Sequence, residues 1–341
     1  MPTVVIVGSN STESLESSYA RAFERVGWQV VFWQPFAALG AVAQGGKLGR
    51  LFGAFVYVEP WWRKANLQLI QQIDACKPDL LLVIGTQGVR AGTLAQIRVR
   101  QPRLRVFCLY PDSPHNLDNE RTNCLPFFDR VISSSPAWVQ AFLSLGARDA
   151  VYLPFAADTA LHKPVAPIEN SPLTHDVTFI GTWRAEREAL LSQLVAYDLA
   201  IWGSNYWRTR TQPHSPLKRK WGGRSLVGAE FAQACAQSKI MLNIMDAISW
   251  PGPNMRTFEL PVCGAFSLAE RSEAVLDLFR EGETIECFAN VIEAQEKIDY
   301  YLHHDAARIR IAQAAYDFIN QAGHTYSDRV RTMLSWWQEV A

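Results

Sequence analysis

The chain has 341 residues, 33 Lys+Arg against 33 Asp+Glu, 48% hydrophobic residues and 12 Trp. The length predicts two domains, because one hydrophobic core stops growing at roughly 250–300 residues, and the hydrophobic share excludes wholesale disorder. A net charge of zero argues against a protein that binds nucleic acid through a broad basic surface, although a local basic patch is compatible with a balanced total.

The amino terminus, Met1-Pro2-Thr3-Val4-Val5-Ile6-Val7-Gly8, has neither the basic leader nor the small-residue cleavage site of a secretory signal. Apolar runs such as 80–85 fall far short of the ~20 residues of a bilayer span. The six Cys form no C-x-x-C pair and most lie in apolar stretches. They read as buried free thiols in a reducing, cytoplasmic setting. No metal site is expected: His303 and His304 are adjacent, so on a helix they point apart.

A strand is predicted over residues 3–8, followed by the polar loop 9–12. Leu15, Tyr19, Ala22, Phe23 and Val26 have helical spacing, and Gly27 ends that pattern. Further strands are predicted over 29–33, 54–58, 79–84, 104–110 and 130–132. Helix patterns cover 67–74, 91–98 and 137–145, the last opened by Ser135-Pro136 and closed by Gly146. Strands alternating with helices imply a mainly parallel sheet covered on both faces. Residues 158–175, with Pro164, Pro167 and Pro172, read as a linker. The pattern then restarts, with strands over 177–181, 199–203, 240–244 and 265–268 and helices from Ala185, over 228–237 and over 255–262. A last helix over 327–340 carries Val330, Met333, Leu334 and Trp337. Two such units make a cleft, and open α/β sheets bind ligands beyond the carboxyl ends of their strands.

Four places at or near strand ends bear chemistry. Val7-Gly8-Ser9-Asn10 lets a ligand approach the backbone, and the helix that follows offers its positive end to an anion. The full G-x-G-x-x-G fingerprint is missing, so an ordinary βα turn competes with a ligand site. In Tyr110-Pro111-Asp112-Ser113-Pro114-His115 a carboxylate and an imidazole follow a buried strand. Asp112 is either a base or positioning group, or the head of a local turn. Gly181-Thr182-Trp183-Arg184-Ala185-Glu186-Arg187 brings two Arg to a helix start, where a diphosphate would be held by amides and guanidinium; solvated Arg side chains are the alternative. Glu259 lies in an otherwise apolar helix and needs a partner, either a pair of ribose hydroxyls or Arg256 at i−3.

These residues resemble a family. Arg256-Thr257-Phe258-Glu259-Leu260-Pro261-Val262-Cys263-Gly264-Ala265-Phe266 is similar to the signature of CgeB-like glycosyltransferases, named after a spore-maturation protein. Ser238-Lys239-Ile240-Met241-Leu242-Asn243-Ile244 resembles their strand ending in Asn, and Asp176-Val177-Thr178-Phe179-Ile180-Gly181-Thr182 with Arg187 resembles their phosphate loop. Residues 130–135, 152–158 and 324–329 also resemble segments of that family, so the likeness covers most of 105–341. It implies an α/β protein of GT-B fold: two Rossmann-like domains with parallel sheets facing across a cleft. The expected division is 1–157 for the acceptor, 158–322 for the donor, and a closing helix, 323–341, returning to the first domain. The implied activity is transfer of a sugar from a nucleotide-diphosphate sugar, with no metal and no other cofactor. Implied donor-side residues are Gly181, Thr182, Arg187, Gly203, Asn243, Asn254, Arg256 and Glu259. Gly8, Ser9 and Asn10 stand on the acceptor side, and Asp112 and His115 are the catalytic candidates. In related retaining enzymes two Glu separated by seven residues lie near the donor. Glu259 fits the second, and Pro251 occupies the position of the first. Stereochemistry therefore does not follow. The acceptor is equally open: glycan, small molecule, lipid-linked or protein. A nucleotide-sugar epimerase and a catalytically silent nucleotide-sugar-binding protein compete with the transferase.

Residues 199–229 contain no Asp or Glu but hold Arg208, Arg210, Lys218, Arg219, Lys220 and Arg224, together with Trp202, Trp207 and Trp221. Removing those six cations from the 33 Lys+Arg leaves 27 against 33 Asp+Glu. The stretch from Arg208 to Arg224 is a solvated loop, an acceptor-side anion site, a contact for the donor phosphates or a peripheral membrane contact.

Overall fold

The computed structural model describes residues 1–44, 59–86, 88–246 and 250–339. The chain divides into two compact units: Met1–Pro154 with Arg329–Ala341, and Phe155–Asp328.

The first unit is built on six parallel strands in the order β2-β1-β3-β4-β5-β6. They are β1 (Thr3–Val7), β2 (Gln29–Trp33), β3 (Leu80–Ile84), β4 (Arg105–Tyr110), β5 (Arg130–Ser133) and β6 (Ala150–Tyr152). All five residues of β3 are buried, as a continuous Leu/Val/Ile run between two helical layers requires. Helix Leu15–Arg25 follows β1, capped by the Ser14 hydroxyl, which accepts the Ser17 N–H. It buries Tyr19, Ala22 and Phe23. The strand expected at 54–58 lies outside the described residues. The pattern expected over 137–145 is a 3-10 turn, Pro136–Trp138, running into helix Val139–Ser144. Helix Tyr326–Glu339 supplies Val330 and Met333, both fully buried. Within the first unit, its Trp337 indole donates to the Asp79 carbonyl at 3.1 Å.

The second unit has five parallel strands in the order β11-β10-β9-β7-β8. They are β7 (His175–Ile180), β8 (Leu199–Trp202), β9 (Ser238–Asn243), β10 (Ser267–Glu270) and β11 (Glu286–Phe288). Residues 158–173 are not a free linker. The Gln237 amide, on helix Gly228–Gln237, donates to the Ile168 carbonyl at 2.6 Å and accepts the Ile168 N–H at 3.2 Å. Leu173 joins the core beside Phe231 and Leu260. The segment is thus laid on a helix, and one amide side chain satisfies both backbone polar groups of Ile168. Among the described residues no helix is long and apolar enough to cross a membrane.

Candidate active site

In the second unit the predicted donor residues gather at the carboxyl ends of β7, β8 and β9. Gly181 and Gly203 follow β7 and β8, and their backbones touch: a Cβ on Gly203 would sit 2.1 Å from the Gly181 carbonyl oxygen. Two tryptophans hold the turns. The Trp207 indole donates to the Gly181 carbonyl at 2.8 Å and the Trp221 indole to the Gly203 carbonyl at 3.1 Å. The Thr182 and Ser204 hydroxyls pair at 3.0 Å. Gly203 is therefore required by close packing of two strand-end turns.

Arg187 is buried, and its guanidinium is committed to the protein. Nε and Nη2 donate to the Ile244 carbonyl at 3.1 and 2.8 Å, and Nη1 to the Thr182 carbonyl at 3.1 Å. Burial pulls its pKa down, and Asp246, 3.6 Å away, opposes that. The expectation that Arg187 meets a diphosphate becomes, in this geometry, a clamp tying the loop after β7 to the loop after β9. Arg184, with 36% of its side chain exposed and 3.9 Å from Asp246, is the less committed cation at this turn.

At the end of β9, Asn243 donates to the Thr257 hydroxyl at 3.0 Å and accepts from the Asn254 amide at 2.8 Å. Asn254 in turn accepts the Thr257 N–H at 3.2 Å. This closed set, with Asn243 and Thr257 buried and Asn254 half-buried, fixes the start of helix Arg256–Val262. Arg256 lies over the Phe231 ring, its Cζ 4.4 Å from the centroid, and Nε donates to the Ile180 carbonyl at 3.3 Å. Nη1 pairs with Glu259 Oε2, so the i−3 partner is present. Glu259 is 4% exposed, and among the described residues its Oε1 has no hydrogen-bond partner. One carboxylate oxygen is thus anchored and the other remains able to accept.

In the first unit a cavity of about 330 Å³ opens at the carboxyl ends of β1, β3 and β4, lined by Gly8, Ser9, Glu16, Gln34, Phe36 and Gly85 among others. Gly8 and Ser9, predicted for the acceptor side, face it. Asn10 donates its N–H to Gln34 Oε1 at 3.3 Å. Glu16 and Gln34 were missed in the sequence, because each reaches the turn after β1 from another element.

Pro111 lines the cavity but Asp112 does not. Asp112 Oδ1 accepts the Ser113 N–H at 2.8 Å and Oδ2 accepts from the Asn116 amide at 2.8 Å, the local-turn arrangement. His115 is exposed and packs edge-on against Trp138, with ring centroids 5.5 Å apart. The basic stretch is largely absorbed by its surroundings. Lys220 donates to the Tyr197 carbonyl, Lys218 to the Pro213 carbonyl, and Arg224 pairs with Glu230. Arg210 lies over the rings of Tyr206 and Trp183. Arg208 and Arg219 have no carboxylate partner among the described residues. Among those residues no group of three or more His, Cys, Asp or Glu is arranged to hold a metal ion.

Residues 184–335 match the family model of glycosyl transferase-like proteins. No curated protein matches the sequence significantly. Solved structures match along the whole chain. Sucrose-phosphate synthase from Thermosynechococcus elongatus shares 13% identity over 100% of this chain and 99% of its own, with a TM-score of 0.71. A glycosyltransferase from Rickettsia africae shares 12% identity over 99% of this chain and 98% of its own, with a TM-score of 0.68. HepE of Anabaena, in complex with UDP, shares 14% identity over 98% of this chain and 100% of its own, with a TM-score of 0.62. The chain has the GT-B fold of these structures, and its second half carries the glycosyl transferase-like match. The family match begins at Arg184 and takes in the Asn243–Asn254–Thr257 set, Arg256 and Glu259.

Proposed function

We propose that the protein moves a sugar from a nucleotide-diphosphate sugar to a hydroxyl-bearing acceptor, with the donor held by the second unit and the acceptor by the first. The observation that carries this reading is Glu259: a buried carboxylate with one oxygen fixed by Arg256 and the other without a partner among the described residues. It stands within the family match, on a helix whose start is fixed next to the end of β9. A pair of ribose hydroxyls suits that second oxygen. The relative HepE was solved with UDP and with UDP-glucose, which makes a uridine donor the first to test. Within the glycosyl transferase-like group, the run from Arg256 to Phe266 supports a CgeB-like member.

In this reading the leaving diphosphate is balanced by backbone amides, Arg256 and Arg184, with no metal called on. Arg187 serves by positioning, since each of its three nitrogens already donates to the Ile244 or Thr182 carbonyl. The test is a calorimetric titration of the protein and its Glu259→Ala variant with UDP and UDP-glucose. Wild-type binding and at least tenfold weakening in the variant are expected, the size of a lost charge-assisted hydrogen bond. Equal affinities would refute the role of Glu259. Product analysis with donor alone separates a transferase from an epimerase, which needs no acceptor.

A further inference from the structure

The turn after β1 is the place where a helix start offers free amides and a positive dipole end to an anion. Here the protein supplies the anion itself. Glu16, in the first turn of helix Leu15–Arg25, folds back so that Oε1 accepts the Ser9 N–H at 3.0 Å. It lies so close over Gly8 that a Cβ there would be 2.4 Å from Glu16 Cγ. The Ser14 hydroxyl takes the next amide, that of Ser17. Glu16 is the one charged side chain among the described residues lining the cavity, and no cation joins it. Its Oε2 and the Gln34 Nε2 have no hydrogen-bond partner among the described residues. Phe36, 54% exposed, adds a ring face at the rim.

We infer that this cavity takes an uncharged, hydroxyl-rich ring and turns away phosphorylated or carboxylated ones. Glu16 accepts from a hydroxyl through its second oxygen, Gln34 donates to another, and Phe36 covers an apolar ring face. An anionic substituent would lie a few ångströms from the Glu16 carboxylate, with no guanidinium or ammonium among the described lining residues to balance it. The inference rests on the transferase reading only in assigning the first unit to the acceptor.

The test uses the full chain and four named probes, glucose and maltose against glucose 6-phosphate and glucuronic acid. Binding is read by saturation-transfer NMR, and UDP affinity is measured in parallel. The neutral sugars should bind at least tenfold better than the anionic ones. Glu16→Gln keeps an oxygen for the Ser9 N–H but removes the charge, so the neutral-to-anionic ratio should fall roughly tenfold, the size expected of one like charge at a partly exposed site. UDP affinity should stay unchanged. Phe36→Ala, at an exposed position, should weaken the neutral sugars alone. Preference for an anionic sugar, an unchanged ratio in Glu16→Gln, or binding of none of the four would overturn the inference. Loss of UDP binding by the wild type would instead strike the transferase reading and leave the charge preference standing.

Discussion

Gly203→Ala tests how the donor-side turns are built. The added methyl would lie 2.1 Å from the Gly181 carbonyl oxygen and 2.9 Å from the Trp207 ring. Neither neighbour is free to retreat. The Gly181 N–H is bonded to the Trp202 carbonyl at 2.9 Å, and its oxygen accepts the Trp207 indole at 2.8 Å. Trp207 is fully buried, so a displaced indole N–H has no water to turn to. Overpacking costs about 1–3 kcal/mol, and a buried donor left unpaired costs about 1–3 kcal/mol more. A total of roughly 2–6 kcal/mol corresponds to a fall in Tm of roughly 5–20 °C for a unit of this size. The assay is urea unfolding followed by tryptophan fluorescence, with UDP titration on the folded variant. Gly92→Ala is the control, since a Cβ there meets nothing within 4 Å; it should be neutral or slightly stabilising. Wild-type stability in Gly203→Ala would refute the packing argument.

Arg187→Ala should destabilise by about 2–4 kcal/mol by stranding the Ile244 and Thr182 carbonyls and Asp246, read as a shift in urea midpoint. Glu293 is held at about 2 rather than its ordinary 4.5, chiefly by hydrogen bonds from Arg271, at 2.5 and 2.9 Å. Its stabilisation is therefore complete above pH 4.5 and is lost as pH falls toward 2. Glu293→Gln should cost about 1–2 kcal/mol at pH 7, and that deficit should shrink between pH 4.5 and 2. Asp112→Asn should lower stability by about 1 kcal/mol with UDP affinity unchanged, because both carboxylate oxygens hold a local turn. A fall in kcat without a change in stability would restore a direct role in the reaction. Excess EDTA should leave turnover unchanged.

The sheets were legible where strands are buried on both sides. Runs such as Leu80 to Ile84 or Ile240 to Leu242 admit little else, since parallel strands under two helical layers are apolar throughout. β11 escaped notice because it has three residues and begins with Glu286, whose burial is balanced by Lys297 and Tyr301. Helices Val291–His303 and Asp305–Gln321 escaped because each buries only three side chains, leaving a weak apolar stripe. At the site, Glu259 stood out as a carboxylate in an apolar helix, and Asn243 only through the resemblance of its strand to a family segment. Glu16 did not: a carboxylate in the first helical turn is ordinary, and only the fold shows it reaching back to Ser9. Arg187 was read as facing a ligand because spacing places a side chain near a loop but does not say which carbonyls claim it.

The central claim is glycosyl transfer from a nucleotide-diphosphate sugar, and the measurement that meets it head-on is release of UDP from UDP-glucose with and without an added hydroxyl acceptor. The account predicts that release rises when a neutral sugar is present, that a glucosylated product of matching amount appears in the mass spectrum, and that Glu259→Ala loses both. UDP-glucose that binds but is left intact with every acceptor, or is converted to another nucleotide sugar without one, would contradict it.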